Sequence, residues 1–107
     1  MLKPLAVTTL KRLDALKDVP TMNESGFPGF ELTPWFGILT TAGAPREVVL
    51  KANADINKLI TQRDVAERFA SQGADPAPWS TEQFAKVIRA DIVKWARVVK
   101  ESGATLD

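Results

Sequence analysis

The stretch from Ser80 to Gly103 leaves this chain the least freedom. Ser80-Thr81-Glu82-Gln83 is a capping-box start, in which the Ser hydroxyl accepts the backbone N–H of Gln83 and the Gln side chain reaches back to the Ser80 amide. Phe84, Val87, Ile88, Ile92 or Asp91, Trp95, Val98 and Val99 follow at helical spacing as one apolar stripe. Lys94, Arg97 and Lys100 fall in the last turns, where cations suit the helix dipole, and Ser102-Gly103 ends the element. A long amphipathic helix with both ends specified is therefore predicted here.

Two shorter helices are predicted before it. Gly43-Ala44-Pro45 marks a boundary, with Pro45 at the first helical position and Glu47 in the first turn. Val49, Ala52, Ile56, Leu59 and Ile60 share one face of the helix that follows, while Lys51, Asp55 and Lys58 point away. A second helix runs from about Asp64 to Ser71, turns Val65, Phe69 and Ala66 inward, and is capped at Gly73. Residues 74–79 contain two prolines and read as a loop or a short edge strand.

The first forty residues are patterned differently. Leu5-Ala6-Val7-Thr8-Thr9 is β-compatible and follows a Pro, which is tolerated at a strand start. Leucines at 10, 13 and 16 suit either a helical turn or an anchored loop. Thr21 and Glu24 form another capping box, and Gly26 stops that helix after about one turn. Phe27-Pro28-Gly29-Phe30 is a turn, because Pro presets φ and Gly supplies a positive one. Residues 30–39 read as extended, with Pro34 and Gly37 confining them to an edge or crossing strand.

Composition narrows the chemistry. With no Cys and no His, disulfides, thiolate nucleophiles, Cys-based zinc sites and the usual general base are all missing. Asp and Glu are interspersed with Lys and Arg on polar faces, where solvation is the plain reading and a catalytic pair the strained one. Phosphate-binding glycine motifs and a nucleophile elbow are missing as well. No enzyme activity, no cofactor and no metal are expected. A net charge of +1 gives no field to attract nucleic acid.

Four residues stand out as candidate ligand contacts. Thr8 and Thr9 close the first strand, and polar groups at strand ends face the ligand crevice in open α/β sheets; a plain strand terminus is the alternative. Trp35 and Phe36 lie in the crossing segment, where an aromatic side chain either packs in a core or lines a cleft. Trp95 belongs to the long helix stripe, and Trp79 beside Pro78 covers a helix end.

These landmarks combine into a resemblance. Leu5-Ala6-Val7-Thr8-Thr9, Lys11-Arg12, Asp18-Val19-Pro20-Thr21, Glu24, Gly26 and Pro28-Gly29-Phe30-Glu31 come in sequence order. Trp35-Phe36-Gly37, Ala42-Gly43, Pro45, the paired helices ending at Gly73, and Phe84, Ile88 and Trp95 continue the series. The series resembles the carboxy-terminal third of the Bug, or TctC-like, receptors, the extracytoplasmic solute-binding proteins of tripartite tricarboxylate transporters. It departs from them at Thr41, where the family usually has Pro, and at Ala44, where it often has Thr, which is expected to loosen that turn.

The resemblance implies an α/β fold, part of a type II periplasmic-binding-protein-like architecture, helix-rich with two or three short strands. It implies one domain over 1–107: about 1–29 from one lobe, 30–41 a crossing segment, and 42–107 the helices of the other lobe. The implied role is a fragment or truncated form of a receptor for small carboxylates, with Thr8, Thr9, Trp35 and Phe36 touching ligand and transporter subunits as partners. Family members are about three times longer, by typical two-lobe sizes, and begin with an export signal. The family location is periplasmic, whereas the chain as written shows no signal peptide and would stay cytoplasmic if expressed so. A self-associating module without ligand is the alternative, and a homodimer, with or without a swapped element, is expected.

Overall fold

The computed structural model describes residues 1–105. It divides into two compact units, Met1–Leu39 and Thr40–Asp107.

The first unit is held by hydrogen bonds more than by regular structure. Val7 and Thr21 form a parallel bridge, with the Val7 N–H donating to the Pro20 carbonyl and the Met22 N–H to the Val7 carbonyl, both at 2.9 Å. This is a correction to the expected two or three strands: among the described residues the bridge extends into no ladder. A parallel ladder alternates its bonds between residues two apart, so its next steps need N–H groups from Pro20 and Glu24. Pro20 has none, and the Glu24 N–H donates instead to Thr21 Oγ1.

Pairing therefore stops after one residue on each side. Asp14–Leu16 forms one short 3₁₀ turn within the leucine-anchored segment. The Thr21 capping box forms, with the Thr21 N–H donating to Glu24 Oε2 at 2.8 Å and the Glu24 N–H to Thr21 Oγ1 at 3.1 Å. Gly26, at φ +99°, ends the turn. Phe30 N–H donates to the Phe27 carbonyl across Pro28-Gly29, the turn those two residues specify. Residues 31–41 have neither helix nor strand character.

Among the described residues the second unit contains three helices: α1, Arg46–Ile60; α2, Arg63–Ser71; and α3, Thr81–Ser102. Pro45 is the N-cap of α1, one position outside the expected one, and its carbonyl accepts from Val48 and Val49. The inner face of α1 is turned from the expected one. Val49, Ile56 and Ile60 are half-buried, but Ala52 and Leu59 are exposed, and Asn53 and Asn57 take their places. The cause is a polar anchor: Asn53 Nδ2 and Asn57 Nδ2 both donate to the Trp79 carbonyl at 2.9 Å.

In α2, Val65 and Ala66 turn inward as expected, whereas Phe69 is exposed. Ala74 N–H bonds to Phe69 O and Gly73 N–H to Ala70 O, a Schellman closure that requires the φ of +74° at Gly73. Residues 74–79 are a loop. The ends of α3 are those predicted, with both capping-box bonds of Ser80 and Gln83 present and Gly103 left-handed. Phe84, Val87, Ile88 and Asp91 are half-buried. Further along, the stripe is uncovered, with Ile92 at 64% exposure and Trp95, Val98 and Val99 also exposed.

Candidate functional site

All four candidate contacts belong to the first unit. Thr8 is half-buried and fixed in place: its Oγ1 donates to the Leu32 carbonyl at 2.8 Å, and its own carbonyl accepts the Leu32 N–H at 2.9 Å. This exchange ties residue 8 to the chain three residues before Trp35. Thr9 Oγ1 donates to the Lys11 carbonyl at 2.6 Å. Trp35 is half-buried, and Phe36, at 98% exposure, stands fully in solvent.

The direction of these bonds decides what the hydroxyls can do. A hydroxyl has one proton to give, and both Thr protons are committed to backbone carbonyls, so each oxygen is left as an acceptor. A ligand hydroxyl or ammonium group can be received without rearrangement. A carboxylate, which only accepts, has to displace an internal bond first. Thr8 and Thr9 thus pair with a carboxylate only by exchanging Leu32 O or Lys11 O for it.

The nearest charged constellation was not visible to periodicity or motif. Arg12 Nε and Nη2 donate to the two oxygens of Glu24 at 3.0 and 3.1 Å, and Nη1 donates to the Lys17 carbonyl at 3.1 Å. Side-chain bonding from Arg12, and then the Thr21 backbone N–H, hold the Glu24 carboxyl down at about 2. The guanidinium is correspondingly raised, chiefly by its bond to Glu24. A forked Arg is the residue type that grips a carboxylate, but here the fork is filled from within the chain. The only sequence hint is Glu24 as the third residue of a capping box, a position that aims a carboxylate backwards. Among the described residues no group of three or more acidic side chains could hold a metal ion. No helix of the described residues is long and apolar enough to cross a membrane.

Residues 1–104 match the family described as the tripartite tricarboxylate transporter family receptor. The chain belongs to that family. Protein BugT of Bordetella pertussis is 36% identical over 105 residues, which are 98% of this chain and 32% of BugT. Among solved structures, R. palustris Rpa4515 with adipate matches at a TM-score of 0.79 and 33% identity, over 94% of this chain and 34% of its own. The periplasmic binding protein BugD matches at 0.71 and 33% identity, over 92% of this chain and 33% of its own. This TctC-family chain therefore spans about a third of the length of the relatives it matches, and its helix-rich fold with almost no strand pairing is part of a periplasmic binding protein fold.

Proposed function

We propose that this chain is a working part of an extracytoplasmic, periplasmic receptor that binds small carboxylates and delivers them to a tripartite tricarboxylate transporter, without catalysis of its own. One observation carries the reading: the family match runs from residue 1 to residue 104, and a similar fold occurs at 33% identity in R. palustris Rpa4515, solved with adipate. Thr8, Thr9, Trp35 and Phe36 are the proposed contacts. The aromatic pair offers apolar surface to the carbon chain of a dicarboxylate, and the Thr hydroxyls offer exchangeable bonds to a polar end. In this reading 1–29 belongs to one lobe, 30–41 crosses and 42–107 belongs to the other; the unit boundary between Leu39 and Thr40, inside the crossing segment, supports it.

The test is a thermal-shift titration with adipate and other small carboxylates at millimolar concentration, since a ligand that binds only the folded state raises the melting temperature. A saturable shift that weakens in Trp35→Ala is the expected result. A flat response to every compound would remove the ligand-binding reading. The second reading is the self-associating module, a homodimer with or without a swapped element. It draws support from the apolar side chains that α3 leaves in water.

A further inference from the structure

Residues 7–12 carry both candidate hydroxyls and are tied at each end to the same short stretch of chain, residues 20–24. At one end the Val7 N–H donates to Pro20 O and the Val7 carbonyl accepts from Met22, each at 2.9 Å. At the other Arg12 reaches Glu24 through Nε and Nη2, at 3.0 and 3.1 Å, and its Nη1 donates to the Lys17 carbonyl at 3.1 Å. Thr8 and Thr9 lie between the two ties. Thr8 has a further hold in its paired bonds with Leu32, whereas the Thr9 hydroxyl is turned to the Lys11 carbonyl at 2.6 Å. A bond of that local kind holds the hydroxyl only as firmly as the backbone that carries the acceptor. That backbone is Lys11, and the next residue is Arg12.

The Arg12–Glu24 pair differs in kind from the helical ion pairs. Lys51–Asp55, Arg63–Glu67 and Arg97–Glu101 each join residues four apart on one helix, where the backbone already fixes both ends. Arg12 and Glu24 are twelve apart in a unit held by one bridge and a few turns. Two parallel N–H···O bonds fix the distance and the plane of the groups together, which a single bond does not. At 45% and 44% exposure such a pair adds little to stability, so its contribution is chiefly geometric.

We propose that Arg12, held by Glu24, is a positioning residue for the proposed contacts Thr8 and Thr9: it fixes residues 9–12 so that the Thr9 hydroxyl stays on Lys11 O and both threonine oxygens remain acceptors for a ligand. The role of the two hydroxyls rests on the carboxylate reading, but their geometry does not and is measured without ligand. Failure of the positioning and failure of that reading are thus separate results.

Two variants separate the fork from the capping box. Gln serves the box as Glu does, just as Gln83 accepts the Ser80 N–H at 2.8 Å, so Glu24→Gln keeps the Thr21 cap but removes the charge and one acceptor from the fork. Arg12→Lys keeps the charge and loses the fork. In the isotope-labelled full chain, three-bond couplings from the Thr9 methyl carbon to the backbone nitrogen and carbonyl carbon are measured by NMR, together with hydrogen exchange at the Met22 amide. The parent is expected to hold Thr9 in one rotamer. In both variants the couplings should move to averaged values while Met22 protection stays within about two-fold of the parent. Thr9 couplings unchanged in the variants, or already averaged in the parent, would overturn the proposal. So would averaging matched by loss of protection at Met22, because the unit would then be loosening as a whole. Adipate at millimolar concentration is then added to all three proteins. If it raises the parent's melting temperature, its apparent affinity should fall about two- to five-fold in Arg12→Lys, the range that an exposed pair supports, and an unchanged affinity would count as refutation. If the parent does not respond, the carboxylate reading fails and the Thr9 couplings still decide the positioning.

Discussion

Thr21 is the place to test what holds the first unit together. It is the most buried residue described, at 1% exposure, and it serves three roles. Its backbone makes the bridge to Val7, its hydroxyl accepts the Glu24 N–H, and its methyl is withdrawn from water with the rest of the side chain. Thr21→Val keeps the branched shape and the methyl volume but removes the cap acceptor, leaving the Glu24 N–H without its partner. Loss of an N-cap oxygen costs about 1 kcal/mol, with a range of about 0.5–2. A part-buried donor left unsatisfied puts this case in the upper half of that range. Thr21→Ser keeps the oxygen and loses one methyl, worth about 0.8 kcal/mol of buried surface. Cap chemistry therefore predicts that Val destabilises more than Ser, and pure burial predicts the reverse. Urea unfolding followed by fluorescence in a Trp79→Phe, Trp95→Phe background reports on Trp35, which lies in the same unit as Thr21. A Val variant as stable as the parent, with Ser the weaker of the two, would refute the reasoning.

Glu24 titrates from an ordinary value of 4.5 in the unfolded chain to about 2 when folded, so its contribution is complete above about 4.5 and is lost as pH falls from there towards about 2. Arg12→Met should flatten the stability profile in that acid window and leave its shape above it unchanged; an unchanged acid limb would contradict the assigned partner. Asn53 and Asn57 share one acceptor at Trp79, so either single Ala substitution should cost about 0.5–1.5 kcal/mol. The double variant should cost more than the sum of the singles, because only then does the Trp79 carbonyl lose both donors; strict additivity in urea midpoints would count against the shared anchor. Gly73→Ala places a Cβ at φ +74°, with open space around it, and should cost about 1–2 kcal/mol from backbone conformation alone. A neutral thermal midpoint would show that the α2 closure does not need the left-handed residue.

The helix ends could be read from sequence because each is written locally. Ser80 with Gln83, and Gly73 and Gly103 at their left-handed positions, are decided by residues within one turn of the boundary. The Thr21 capping box and the Pro28-Gly29 turn were readable for the same reason. The strands were not, because β-propensity at Leu5-Thr9 states only that a segment is willing to pair. Whether it pairs depends on donors elsewhere, and here Pro20 lacks an N–H while Glu24 has given its own to Thr21. The Arg12–Glu24 fork was hidden for a related reason, since residues twelve apart meet only through the turns between them.

The apolar stripes present the opposite case, and α3 shows what periodicity can and cannot say. Phe84, Val87 and Ile88 are half-buried, whereas Ile92, Val98 and Val99 continue the same stripe into water. Helical spacing reports which face of a helix gains from being covered, not whether the chain contains the cover. The Asn53 and Asn57 pair makes the converse point. Two polar residues sit on the inner face of α1 because one backbone carbonyl after α2 is available to them, a fact that hydrophobic pattern has no means of encoding. Of the proposed site, strand-end logic singled out Thr8 and Thr9, but the strand they were to close is reduced to the single Val7–Thr21 bridge, and the direction of their hydrogen bonds was not legible at all. That direction sets the chemistry of the proposed contacts: each hydroxyl already donates inward, so a carboxylate placed there would take an internal bond from Leu32 O or Lys11 O, and those carbonyls would have to find water instead.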